Sequence, residues 1–245
     1  MVRPCELGFG AKAEQYDARA QVQARVAGWT AEWLDPALAG LDALEFGAGT
    51  GLFTRYAARL HGRRLWATDV AEPMLEVGRR ASLGCRWLEQ DAWNPSLEGP
   101  FGALYTTSLL QWCPDPLDTL RKWRGLAEAG SRLLGAVFVA GTMREWESCE
   151  GALGQVAWRA EADWLVALEG SCWSLVRSEV ASWVEYAESA REAARSWHGI
   201  GAVVSGGERR VGEFLRSMRR YQREWGGGRG VPCTWRVLRF EAEGR

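Results

Sequence analysis

The run Leu44-Glu45-Phe46-Gly47-Ala48-Gly49-Thr50-Gly51, with Asp69 eighteen residues beyond its last glycine, restricts what this chain can fold into more than any other segment. The mostly apolar stretch from Leu41 to Phe46 reads as a short buried strand, and the glycines lead through a tight turn into an amphipathic segment, Leu52 to Leu60. Glycine suits such a turn because a Cβ would keep a ligand away from the main chain and because left-handed backbone is open to it. Asp69 closes the next strand-like run, Arg64 to Asp69, where an acid reaches the ribose of a bound nucleotide-like cofactor. A dinucleotide site wants G-x-G-x-x-G, but Leu52 stands where its third glycine belongs. Here the glycines alternate, at 47, 49 and 51.

Alternate glycines preceded by an acid two residues before the first resemble motif I of the class I S-adenosylmethionine (SAM) methyltransferases. That resemblance implies a Rossmann-like α/β fold with a seven-stranded, mostly parallel sheet whose last strand is antiparallel, and SAM lying across the strand ends. Gly47, Ala48, Gly49 and Gly51 would let the backbone approach the methionine portion, with Glu45 assisting from the strand end. Asp69, followed by Val70, would accept both ribose hydroxyls, as an ionised carboxylate can. Asp91 and Ala92 would meet the adenine edge. Met74 would pack on the adenine face, or else serve as plain helix core.

A chain of 245 residues suffices for one α/β domain with a helical insertion near 143–170. Its 30 basic and 31 acidic residues give a net charge of −1, which argues against a general nucleic-acid binder. No apolar run of about 18 residues exists, so no membrane span is expected. The six cysteines are scattered without a C-x-x-C pair, so we read free cytoplasmic thiols and no metal site. Fifteen tryptophans suit core and lid packing better than a dedicated aromatic binding box.

Residues 11–34 carry Tyr16, Val22, Val26, Trp29, Trp33 and Leu34 on one helical face, ended by Asp35-Pro36. Strands follow near 41–46, 64–69, 84–88, 101–107 and 131–140, alternating with helices near 51–60, 72–81 and 115–128. Residues 143–200 read as mostly helical, a lid over the sheet edge. Strands near 172–182 and 233–243 complete the sheet, with helices near 184–197 and 208–224 and a flexible Gly226-Gly227-Gly228 connector. His61, closing the first of these helices, reads as a cation at a helix C-terminus.

Further segments resemble one methyltransferase group, the malonyl-acyl-carrier-protein O-methyltransferases of biotin synthesis. They are Phe9 to Gln23 with Tyr16, then Leu109-Leu110-Gln111-Trp112-Cys113, then His198-Gly199-Ile200-Gly201-Ala202. Residues 143–170 match that group poorly, and Trp197-His198 stands where a basic residue is usual. The resemblance implies methyl transfer to the free carboxylate of malonyl-acyl carrier protein or malonyl-CoA, with Tyr16 orienting the carboxylate and Gln111 and Trp112 walling the cavity. Arg144, Arg195 and His198 are the candidates for holding the acceptor. A carboxylate is already ionised at neutral pH, so the chemistry asks for alignment rather than a strong base. Each candidate has a plainer role: lid anchor for Tyr16, core for Trp112, turn residue for His198, surface charge for the arginines.

An acidic carrier protein wants a basic face. Arg216, Arg219, Arg220 and Arg223 share one side of the helix near 208–224, either as such a face or as an ordinary solvated stripe. The alternatives to malonyl methylation are another small carboxylate or hydroxyl acceptor, and a SAM-binding accessory protein that transfers nothing.

Overall fold

Four consecutive buried residues form β1 (Ala43–Phe46), the pattern of a strand covered on both faces. Its neighbours are β2 (Leu65–Asp69) on one side and β4 (Phe101–Thr107) on the other, both parallel to it. In this computed structural model, which describes residues 13–149, 158–199 and 208–245, seven strands form one sheet in the order β3-β2-β1-β4-β5-β7-β6. The remaining strands are β3 (Arg86–Glu89), β5 (Ala127–Phe138), β6 (Trp173–Ala187) and β7 (Val231–Gly244). β7 runs antiparallel to both β5 and β6, between which it lies. The chain builds outward from β1 to β2 and β3, then returns to β4 on the other side of β1. That reversal opens a crevice at the carboxyl ends of β1 and β4.

Helices cover both faces. Between strands run α3 (Thr54–His61), α4 (Glu72–Arg80) and α5 (Pro116–Gly125). The last begins on proline after Asp115, whose side chain accepts from the Asp118 amide at 3.0 Å. Leu120 and Trp123 of α5 are fully buried, and the Trp123 ring stacks on Phe46 with centroids 4.3 Å apart. Trp123 Nε1 also donates to the Ala92 carbonyl at 2.7 Å, so core packing fixes a loop at the crevice.

At the amino-terminal side the expected single helix is two, α1 (Ala13–Arg19) and α2 (Gln21–Ala31), broken at the fully buried Ala20. The two have different partners. Ala13 of α1 packs with Ala71 and Met74 across the crevice, whereas α2 lies on β4 and β5. One straight rod cannot serve both. Along β6 the strand continues to Ala187, through residues 184–187 expected as helix. Its registry with β7 is unbroken from Arg177 to Ala187, which favours strand there. Between β5 and β6 lie α6 (Arg144–Glu147) and α7 (Glu161–Gly170), and after β6 come α8 (Ala190–Gly199) and α9 (Glu208–Trp225). Trp146, Trp197 and Tyr221 join α6, α8 and α9, with Trp146 edge to face on the other two rings and all centroids 5.3–5.9 Å apart. After α9 the glycines form a turn closed by a bridge between Gly227 and Gly230. Among the described residues no helix is long and apolar enough to cross a membrane.

His61 corrects its sequence reading. It is buried, with Nδ1 3.1 Å from the Leu41 carbonyl and Nε2 2.8 Å from the Tyr105 hydroxyl. Burial lowers its pKa, so it is a neutral tie, with Nδ1–H donating and Nε2 accepting, rather than a cation at a helix end.

Arg239 of β7 pins α2 to the sheet. Its guanidinium, 3% exposed, lies 4.1 Å from the Trp29 ring centroid and 3.9 Å from that of Trp33. It donates to the Trp29 carbonyl and, at 2.5 Å, to Glu179. An ammonium cannot stack flat between two rings while bonding in several directions. Arg239→Lys is therefore expected to lower the unfolding free energy by about 2 kcal/mol, read from urea denaturation at unchanged m value.

Candidate functional site

The order of the strands lays out the crevice from end to end. Asp91 and Ala92 follow β3, Asp69 and Val70 close β2, Gly47 and Gly49 follow β1, and Ser108, Leu109 and Trp112 follow β4. All of them line one open cleft, to which Tyr16 of α1 and Gln23 of α2 also contribute.

Asp69 is its pivot. One carboxylate oxygen accepts from the Gly49 amide and the other from the Ala71 amide, each at 2.9 Å. This fixes the carboxylate's orientation, and each oxygen has a further lone pair in its acceptor capacity. Gly47, Gly49 and Gly51 all have positive φ, at 70°, 56° and 96°. Their reasons differ. A Cβ at Gly47 would fall 2.8 Å from Leu109, whereas one at Gly51 would press on Trp87 of β3 at 3.0 Å. Gly51 therefore shapes the turn from behind and does not line the cleft. Ala48 and Met74 do line it, and Met74 packs with Ala13 and Ala71 as well, so it is helix core and cleft wall together.

Glu45 lies beneath the glycine turn rather than on the cleft wall, 1% exposed. Burial, helped by the charge of Asp69, pushes its carboxyl up to about 8, so it carries a proton at neutral pH. Tyr16 is held well above the ordinary phenol range, chiefly by burial and then by the carboxylates of Asp69 and Asp17. It stays a neutral hydroxyl, able to donate but not to act as a base. The next residue, Asp17, accepts a hydrogen bond from Thr50 in the glycine turn and pairs with Arg55 at 3.7 Å. Helix α1 and the glycine turn are thus bonded directly. Asp91 accepts from the Trp93 amide at 2.9 Å, a local turn that presents the Ala92 backbone.

The substrate side departs from expectation. Trp112 walls the cleft, but Gln111 turns away and donates through Nε2 to the Ser108 carbonyl at 2.6 Å. Arg144 is 66% exposed beside Glu145 on α6, Arg195 is exposed on α8, and neither lines the cleft. A buried carboxylate, Glu145, captures the start of α6 by accepting from the Thr234 amide at 3.0 Å, which carries Arg144 to the surface. The His198 side chain lies outside the described residues. Gln23, Thr50 and Ser108 are the residues that sequence reasoning missed. Gln23 was legible as a polar interruption between Val22 and Val26 on the inner face of α2, but Ser108 carries no local signal. Among the described residues no group of His, Cys, Asp and Glu is arranged to hold a metal.

A glycine turn at the switch point, an oriented acid on β2 and a polar turn after β3 fit the methionine, ribose and adenine parts of SAM in that order. The fold is that of a class I SAM-dependent methyltransferase. A family model described as "Methyltransferase domain" matches residues 43–130. The chain is 30% identical over 248 residues to malonyl-[acyl-carrier protein] O-methyltransferase of Alcanivorax borkumensis, covering 96% of this chain and 84% of that protein. It is 28% identical over 249 residues to the enzyme of the same name from Herminiimonas arsenicoxydans, covering 97% and 94%. A solved geranyl diphosphate methyltransferase in complex with SAM shares the fold at a TM-score of 0.58 and 14% identity, over 90% of this chain and 84% of that one. The chain belongs to the malonyl-[acyl-carrier protein] O-methyltransferase family.

The protonated Glu45 makes stability depend on pH. Between about 4.5 and about 8 the folded protein keeps a proton that the unfolded chain releases, so stability falls as pH rises through that window. The slope contributed approaches about 1.4 kcal/mol per pH unit. Glu45→Gln is expected to flatten this dependence and to gain on the wild type between pH 5 and pH 8, as measured by urea unfolding at both.

Proposed function

We propose that this chain transfers a methyl group from SAM to the free carboxylate of a malonyl thioester, carried on acyl carrier protein or coenzyme A, at the start of pimeloyl synthesis for biotin. The observation that supports this reading is the likeness to malonyl-[acyl-carrier protein] O-methyltransferases over 96–97% of the chain. In this reading the protein works in the cytoplasm.

SAM supplies a methyl group on a sulfonium, ready for in-line displacement. The protein's part is alignment and exclusion of water. No base is needed, because a carboxylate is ionised well below neutral pH. Tyr16, locked as a neutral hydroxyl, donates to the carboxylate and orients it. Trp112 closes the wall beyond β4, and α1, bonded through Asp17 to Thr50, keeps solvent from the reacting atoms. Asp69 holds the cofactor's ribose.

The direct test is mass spectrometry of malonyl-acyl carrier protein incubated with SAM and the protein. A gain of one methyl group, about 14 Da, is expected, and Asp69→Ala should abolish it together with SAM binding by calorimetry. No gain on carrier-bound or coenzyme A-bound malonate would defeat this reading.

Carrier recognition has its own test. Arg216, Arg219 and Arg223 on α9 are exposed, and Arg220 and Arg223 both pair with Glu224, at 2.9 Å and 3.4 Å. Reversing Arg216 and Arg219 to glutamate is expected to lower kcat/KM on the carrier-bound substrate about tenfold at low salt. Turnover of malonyl-CoA should stay unchanged. Equal kcat/KM on the carrier substrate would show that the stripe is only a solvated helix face.

A further inference from the structure

Buried polar atoms in folded proteins nearly always find a partner, and those that do not ask for an explanation. Gln23 Oε1 and Ser108 Oγ are both buried from solvent without a hydrogen-bond partner among the described residues. Both belong to residues lining the cleft, one on α2 above it and the other at the end of β4 below. By the strand order, adenine lies toward β3, ribose toward β2 and methionine at β1. The β4 end is therefore where the reacting oxygen of the acceptor belongs.

Ser108 is also held in an uncommon conformation. Its φ is +55°, left-handed backbone that few residues other than glycine adopt. Two bonds keep it there: its amide donates to the Ala136 carbonyl at 2.9 Å, and its carbonyl accepts from Gln111 Nε2 at 2.6 Å. Strained backbone of this kind gathers at ligand sites. Gln111 thus acts through Ser108, as a positioning residue. For Gln23, a half-turn about its Cγ–Cδ bond exchanges the oxygen for the NH₂ group, so its unpaired end can donate as readily as accept.

We propose that Gln23 and Ser108 form a neutral clamp for the acceptor's carboxylate, each giving it one hydrogen bond, in the place where a cationic side chain would be expected. This assignment rests on the malonyl thioester reading above. Among the described residues, the only charged groups lining the cleft are the acids Asp69 and Asp91. The physics favours such a clamp. Methyl transfer cancels the carboxylate's charge against the sulfonium's, so the acceptor is less charged at the transition state than before it. A guanidinium would stabilise the ground state more than the transition state and so slow the step, whereas a hydroxyl and an amide hold the oxygen in place with less of that penalty.

The test uses the full chain with Ser108→Ala, Ser108→Gly and Gln23→Leu, the glycine variant because it suits the left-handed backbone while lacking the hydroxyl. KM for the malonyl thioester, Kd for SAM by calorimetry, and Tm are measured for each. A rise in KM of about tenfold or more is expected in all three, with Kd for SAM within about twofold of wild type and Tm little changed. If the wild type methylates the malonyl thioester and the variants match its KM, the clamp is wrong and the acceptor reading stands. Should Kd for SAM weaken in step with KM, these side chains serve the cofactor instead and the assignment falls. A wild type inactive on malonyl thioesters overturns the acceptor reading and the clamp together.

Discussion

The carboxylate of Asp69, accepting from the amides of Gly49 and Ala71, joins the turn after β1 to the turn after β2. Without that pair of bonds the two loops would be independent surface connections. With it they are one rigid wall. The rest of the site is arranged around that wall: Met74 beneath it, Tyr16 over it, and Asp17 bonded to its far side through Thr50. The same charge reaches inward and, with burial, helps keep Glu45 protonated below the turn. A single acid thus sets the geometry of the cleft and contributes to the electrostatics of its floor.

Much of this was legible in the sequence because the parallel half of the sheet obeys local rules. A short buried strand such as β1, glycines with positive φ, and a proline-initiated helix after Asp115 are each dictated within a few residues. What was not legible depended on partners far away. The break at Ala20 follows from two helices packing on different surfaces, and no propensity in residues 11–34 announces it. The extension of β6 through Tyr186 needs β7, which lies more than forty residues on. Arg144 was a reasonable candidate until the bond between Glu145 and Thr234 turned its helix outward. Gln111 sat in a suggestive motif, yet its side chain is engaged in holding a neighbour's backbone.

The chemistry proposed for this cleft differs from that of most acid–base sites. Methyl transfer to a carboxylate would leave no proton to abstract and would cancel charge as the bond forms, so a strong electrostatic grip on the acceptor would be a liability. Tyr16, Gln23 and Ser108 bring a phenol, an amide and a hydroxyl to the lining of the cleft. In that proposal rigidity replaces charge as the catalytic resource, and the aromatic and apolar packing around Phe46, Trp123 and Leu109 would supply it.

The place of β7 has a consequence for how the molecule comes together. Residues 231–244 occupy an inner slot of the sheet, and β6, some fifty residues earlier in synthesis, has no other strand beside it among the described residues. As the polypeptide leaves the ribosome, β1 to β5 can assemble in the order they appear, while β6 must wait, its long ladder unpaired. Until residues 231–244 are delivered, β5 and β6 each leave unpaired the edge that β7 will fill, and both are sealed in a single step.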